Sequence, residues 1–206
     1  MMTRISCRRP VVGLVLALAA GATFVPMTSA QMAQGGQMKQ AMTMAPPAVG
    51  DRATDFSLTA ADGTTIKLSA EWQRGPLVLV LLRGWPGYQC PFCVRQYGEF
   101  LARAKDLDAM GARVVWVYPG GTEVKQRADA FAANKEAPAN FRLTLDPNYA
   151  FTTAYRLRWD APSETAYPST FVIDKGGVVR WALISKEHGG RAPIADVLKA
   201  VEAIGR

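Results

Sequence analysis

Apolar and polar positions alternate with two different periods along this chain, and the change of period marks its elements. Phe56-Ser57-Leu58 and Thr65-Ile66-Lys67-Leu68 alternate around Ala61-Asp62-Gly63, which predicts a β-hairpin. Pro76 opens a short, unbroken apolar run over residues 77–82, as expected of a strand buried on both faces. Residues 90–107 follow with Phe92, Tyr97, Phe100, Leu101 and Ala104 at approximately helical spacing. A second buried strand spans 112–118 (ARVVWVY) and stops at Pro119-Gly120-Gly121. Thr122 then caps a predicted helix over 122–135. Residues 141–145 form a third strand, and 146–155 a short helix with Asp146 as its cap and Pro147 in its first turn. The chain closes with strands at 170–173 and 178–184 around Asp174-Lys175-Gly176-Gly177, then a helix over 192–204.

Alternating strands and helices predict an α/β fold in which helices flank a central mixed sheet, with the N-terminal hairpin added as extra antiparallel strands. No internal repeat is visible, and 206 residues suit one well-buried domain. That domain is expected to occupy residues 51–206. Residues 31–50 (QMAQGGQMKQAMTMAPPAVG) lack a hydrophobic period and read as a disordered leader. Its four methionines are soft donors of the kind that hold Cu(I), but without Cys or His among them a solvated tether is the simpler reading.

The first 30 residues have the texture of a secretory signal. Arg4, Arg8 and Arg9 supply a basic end, VVGLVLALAAGA an apolar run, and Thr28-Ser29-Ala30 small residues for cleavage. The run is shorter than the ~20 residues of a membrane span, so no stable membrane insertion is expected after cleavage. The signal also changes the meaning of the net charge of +7. Removing those three arginines from 24 basic residues against 17 acidic ones leaves +4, dispersed along the chain, which gives no nucleic-acid footprint. Cys7 departs with the signal. Cys90 and Cys93 then remain as a pair in an oxidising, periplasmic or extracytoplasmic compartment, where two thiols form either a disulfide or a managed redox couple.

Cys90-Pro91-Phe92-Cys93 carries the chemistry. It follows a buried strand where a helix begins, and its spacing places both sulfurs on one face of the first turn. The first cysteine meets free N–H groups and the helix dipole, which favour a thiolate, while the second is placed to resolve a mixed disulfide. A zinc site needs about four ligands, more than two cysteines and the single His188 supply. A structural disulfide across so small a loop would constrain the unfolded chain little. No metal, nucleotide or flavin signature is present, and no cofactor is expected. His188, between charged residues and Gly189-Gly190, reads as a solvated histidine, and Arg191 beside it as a weak anion contact.

With the dithiol in place, Tyr167-Pro168-Ser169-Thr170 at a strand entry resembles the thioredoxin-like superfamily, which implies that Pro168 is the cis-proline facing Cys90 and Cys93 and contacting substrate. Residues 49–204 resemble more narrowly the alkyl hydroperoxide reductase/thiol-specific antioxidant family of peroxiredoxin-like redoxins. The carriers are VLLRGWPGYQCPFCVRQ (80–96), LTLDPNYAFTTAYRL (143–157) and PSTFVIDKGGVVRWALI (168–184). Where that family has Pro and then Thr or Ser before its peroxidatic cysteine, this chain has Arg83 and Gly87; the family's second-half arginine falls near Pro168, which is not one. Arg83 reads either as a charge near Cys90 that favours the thiolate or as an ordinary exposed arginine at a strand end, and Trp85, with Tyr88 and Phe92, either as a rim for a partner or as core and loop packing.

The resulting expectation is an exported thiol oxidoreductase that cycles Cys90–Cys93 against protein disulfides or small peroxides, with a thiol/disulfide electron donor as partner. A true thioredoxin-dependent peroxidase is the alternative within the enzymes, and a non-catalytic binding module on the same fold the alternative outside them.

Overall fold

The computed structural model describes residues 45–205. The signal expected over 1–30 and most of the leader expected over 31–50 lie outside the described residues. Seven strands form one sheet in the order β2-β1-β5-β4-β3-β6-β7. They are β1 (Ser57–Ala60), β2 (Thr65–Lys67), β3 (Leu77–Leu81), β4 (Arg113–Gly120), β5 (Phe141–Pro147), β6 (Ser169–Ile173) and β7 (Val179–Ile184). The helices are α1 (Leu68–Arg74), α2 (Pro91–Ala102), α3 (Ala104–Ala109), α4 (Val124–Ala132), α5 (Ala150–Ala154) and α6 (Ile194–Ile204).

The continuous apolar runs sit in the middle of the sheet, because only central strands need apolar residues on both faces. β3 and β4 run parallel (Val80 opposite Trp116), as do β4 and β5 (Val117 opposite Thr144). β6 pairs antiparallel with β3, and β1 with β5. β1 and β2 pair antiparallel around a turn in which the Asp62 carboxylate accepts from the Thr64 amide at 2.9 Å and hydroxyl at 2.7 Å.

Period-two alternation divides the core in two. Val78, Val80, Val114, Trp116 and Tyr118 face one side, where Tyr97 and Phe100 of α2, Phe131 of α4 and Val197 of α6 cover them. Leu77, Leu79, Leu81, Val115 and Val117 face the other, against Trp72 of α1 and Phe151 of α5. Both cysteines belong to the first of these clusters.

Several boundaries depart from the periodicity. The helix expected over 90–107 is two helices broken at Arg103, whose N–H turns back to the Phe100 and Leu101 carbonyls. The helix after β4 starts at Val124 with Glu123, not Thr122, at its N-cap, and ends at Ala132. Asp146 and Pro147 belong to β5, yet Asp146 still caps: its carboxylate accepts from the Phe151 and Thr152 amides at 2.8 and 2.9 Å. Leu68 opens α1 instead of ending a strand, and that short helix buries Leu68, Glu71 and Trp72 at i, i+3 and i+4.

Candidate active site

β3 carries the chain to the front of the sheet, and the segment after it returns to open α2 at Cys90. Cys90 is the N-cap, with extended φ and ψ of −61° and 116°, and Pro91 takes the first helical position, where a missing N–H costs nothing. The Cys93 and Val94 amides donate to the Cys90 carbonyl at 3.1 and 3.2 Å, which closes the first turn under the sulfurs. Both cysteines are free thiols.

The two thiols differ sharply in acidity. Cys90 is lowered from 9.0 to about 5, chiefly because the Cys93 thiol donates to its sulfur; burial opposes, and the Cys93 N–H, the Arg191 charge and the Phe92 N–H assist. Cys93 is pushed well above the usual thiol range, by burial first and then by the neighbouring Cys90. Two close thiols cannot both ionise, so the pair holds one negative charge, placed at the helix terminus.

Arg191 sets a guanidinium against both sulfurs. It lies in the segment between β7 and α6, and its Nη2 donates to Cys90 Sγ and to Cys93 Sγ, both at 3.5 Å. This corrects both readings of Arg83. Arg83 is 3% exposed and committed elsewhere: Nε and Nη2 donate to the two Glu164 carboxylate oxygens at 2.7 and 2.8 Å, and Nη1 donates to the Tyr88 hydroxyl at 3.1 Å. A buried guanidinium needs a carboxylate partner, and Glu164 supplies it. In sequence Arg83 stands seven residues from Cys90 and Arg191 a hundred and one, which is why proximity along the chain favoured the wrong arginine.

Access is also restricted: an attacking thiolate needs a reachable sulfur, yet Cys90 and Cys93 are both 0% exposed. Arg191 lies on the sulfurs, and Gly189 approaches the Phe92 ring. A second correction concerns Pro168. Among the described residues no peptide bond is cis, so Tyr167–Pro168 is trans. The trans geometry lets the Tyr167 N–H reach the Leu157 carbonyl and the Pro168 carbonyl accept from the Ser185 N–H, both at 2.9 Å. Pro168 is buried at the entry to β6.

Trp85 is half-buried beneath the Arg127 guanidinium, 3.9 Å from its ring centroid. It lines a cleft of about 260 Å³ with Arg127, Tyr118 and Tyr149. Tyr118 joins this cleft to the dithiol: its hydroxyl donates to Gln89 Oε1 at 2.8 Å, next to Cys90, and burial together with the nearby sulfurs raises the phenol above its usual range. Gly87 stands where the related family has a hydroxyl residue. Its φ of +99° suits glycine and strains any residue with a Cβ.

Sequence reasoning missed Glu164 entirely and undervalued Arg191 and His188. His188 Nε2 lies 2.7 Å from Glu164 Oε1, and its ring meets Trp159 at 5.2 Å between centroids. Among the described residues no group of three or more His, Cys, Asp or Glu is arranged to hold a metal, and no helix is long and apolar enough to cross a membrane.

A sheet of this order, with an unequal dithiol at the start of the helix after its central strand, defines a thioredoxin-like thiol-dependent oxidoreductase. The AhpC/TSA family model matches residues 49–182, and the chain belongs to that family. Peroxiredoxin 2 of Thermoplasma acidophilum is 25% identical over 163 residues, covering 76% of this chain and 75% of that protein. The crystal structure of peroxidoxin BcpB from Mycobacterium tuberculosis shares the fold with a TM-score of 0.60 at 21% identity, over 77% of this chain and 98% of that one. A Chlorobium tepidum protein described as a DsbE thiol:disulfide interchange protein matches with a TM-score of 0.57 at 24% identity, over 78% and 99%.

Proposed function

We propose that this protein is an exported dithiol oxidoreductase whose main substrates are disulfides, with Cys90 as nucleophile and Cys93 as resolving thiol. The observation that carries it is the division of acidity within one pair: Cys90 lowered to about 5, Cys93 raised, and Arg191 in contact with both sulfurs. The Cys90 thiolate attacks one sulfur of a substrate disulfide, forms a mixed disulfide and expels the other sulfur as a thiolate. Cys93 then loses its proton, attacks Cys90 Sγ and releases the second substrate thiolate. The substrate gains two electrons, and Cys90–Cys93 becomes a disulfide that an external dithiol reduces. Arg191 balances the thiolate before attack and, by contacting both sulfurs, serves either step. Trp85 and the cleft beside it offer an apolar and cationic surface for the partner chain. The basic end, apolar run and Thr28-Ser29-Ala30 support export to an extracytoplasmic compartment.

Membership of the AhpC/TSA family favours peroxide as a second substrate. There Cys90 would take one peroxide oxygen as a sulfenic acid and release an alcohol or water, and Cys93 would displace water to form the same disulfide. The deciding experiment compares the reduced protein's rate with hydrogen peroxide against its rate with a mixed-disulfide peptide. Faster disulfide reduction is expected, and a strong preference for peroxide would reverse the order of the substrates. Cys93→Ser should trap mixed disulfides and Cys90→Ser should not; trapping by Cys90→Ser would overturn the assignment of roles.

A further inference from the structure

We propose that His188 is a positioning residue for Arg191, forming with the buried Arg83–Glu164 pair a latch that holds the guanidinium against the dithiol. The contacts form an unbroken chain. Arg83 grips Glu164 through two parallel hydrogen bonds of 2.7 and 2.8 Å, and the Glu164 side chain is 9% exposed. Burial acts to raise the Glu164 carboxyl, but Arg83 and His188 hold it below its usual range, so it accepts as a carboxylate and His188 Nε2 carries the shared hydrogen. The His188 ring rests on Trp159, which stacks on Tyr167 at 4.8 Å and 13°. The main-chain carbonyl of His188 then accepts from Arg191 Nη1 at 2.9 Å, the Gly190 carbonyl accepts from the same nitrogen at 2.6 Å, and Nη2 is left to face the sulfurs.

A free arginine side chain loses rotamer entropy when it is held in one geometry. Here two carbonyls hold it, so the loop that carries those carbonyls must itself be fixed. At one end Ser185 Oγ donates to the Glu187 carbonyl and accepts from the Glu187 amide, and Gly190 lies so close that a Cβ there would overlap Ser185 Oγ. In the middle the His188 side chain ties the loop to Glu164. His188 touches neither sulfur and acts through Arg191.

The test is the pH midpoint of the Cys90 thiolate, read by thiolate absorbance and by alkylation rate, in wild type, His188→Ala, His188→Gln, Arg191→Met and the His188→Ala/Arg191→Met double variant. A cation in contact with a thiol lowers its midpoint by about one pH unit or more. Arg191→Met and His188→Ala should each raise the midpoint by about that much, the double variant should move no further than Arg191→Met, and His188→Gln should restore much of the loss through its amide N–H. Melting curves confirm that these variants fold; Glu164→Ala is avoided because it strands the buried Arg83 charge. The latch is overturned if His188→Ala titrates like wild type, if its effect adds to that of Arg191→Met, or if Arg191→Met changes nothing. The proposal rests on Cys90 ionising before Cys93. If wild type lacks a low-pH thiolate that Cys90→Ser removes, that assignment and the latch both fall; if it has one and His188→Ala leaves it unmoved, the latch falls alone.

Discussion

Replacing Cys93 separates its two roles, as a donor to Cys90 and as the resolving sulfur. The Cys90 thiol falls from an ordinary 9.0 to about 5, and the hydrogen bond from Cys93 is the largest cause. A hydrogen bond to a charged acceptor is worth about 1.5–3 kcal/mol, and one pH unit is about 1.4 kcal/mol, so losing the donor should move the midpoint up by roughly one to two units. Cys93→Ala therefore titrates between about pH 6 and 7. Cys93→Ser keeps an O–H donor at the same place and should stay near the wild-type midpoint, although it resolves no better than alanine. Thiolate absorbance between pH 4 and 9, with alkylation near pH 6 where the contrast is greatest, reads the difference directly. If Ala and Ser variants titrate together, the Cys93 hydrogen bond is not what holds Cys90 ionised, and the helix terminus and Arg191 must account for the whole effect.

Cys90 also links stability to pH. Its folded value lies below its unfolded one, so its contribution is complete above the unfolded value and is lost as pH falls towards about 5. The urea stability of reduced wild type relative to Cys90→Ser should therefore grow by roughly 2–3 kcal/mol between pH 5 and 7, and parallel curves would refute it. Gly87→Thr restores the hydroxyl found in the related family but places a Cβ at a φ of +99°; it should cost about 1–2 kcal/mol in denaturant titration, and unchanged stability would show that the turn relaxes freely. Trp116→Ala removes a fully buried ring that meets Tyr97 and Phe100 edge-on at 4.9 and 5.0 Å, and should cost about 3–5 kcal/mol; a loss under about 1 kcal/mol would mean the core collapses into the gap.

What the sequence determined by itself was everything local. Unbroken apolar runs in β3 and β4 announced strands buried on both faces, because a strand's side chains alternate between faces and only a central strand needs apolar residues on each. Cys-Pro-Phe-Cys after β3 announced a dithiol at a helix start, because capping, the proline at the first helical position and the spacing of three all operate within one turn. Short helices were less legible: α1 spans seven residues, too few for a period to stand out from the strand before it. Tertiary structure alone decided which charge meets the sulfurs. Arg83 and Arg191 are both arginines at the end of a strand or loop, and nothing local distinguishes the one buried against Glu164 from the one laid on the dithiol. The same is true of His188, whose Gly-flanked setting suggested solvent until the fold brought Glu164 to its ring. Whether Cys90 meets solvent also depended on the loop folded over it. A thiol's acidity and access are set by whatever lies within a few ångströms, and while Cys93 comes from the same helical turn, Arg191 arrives from 98 to 101 residues away along the chain.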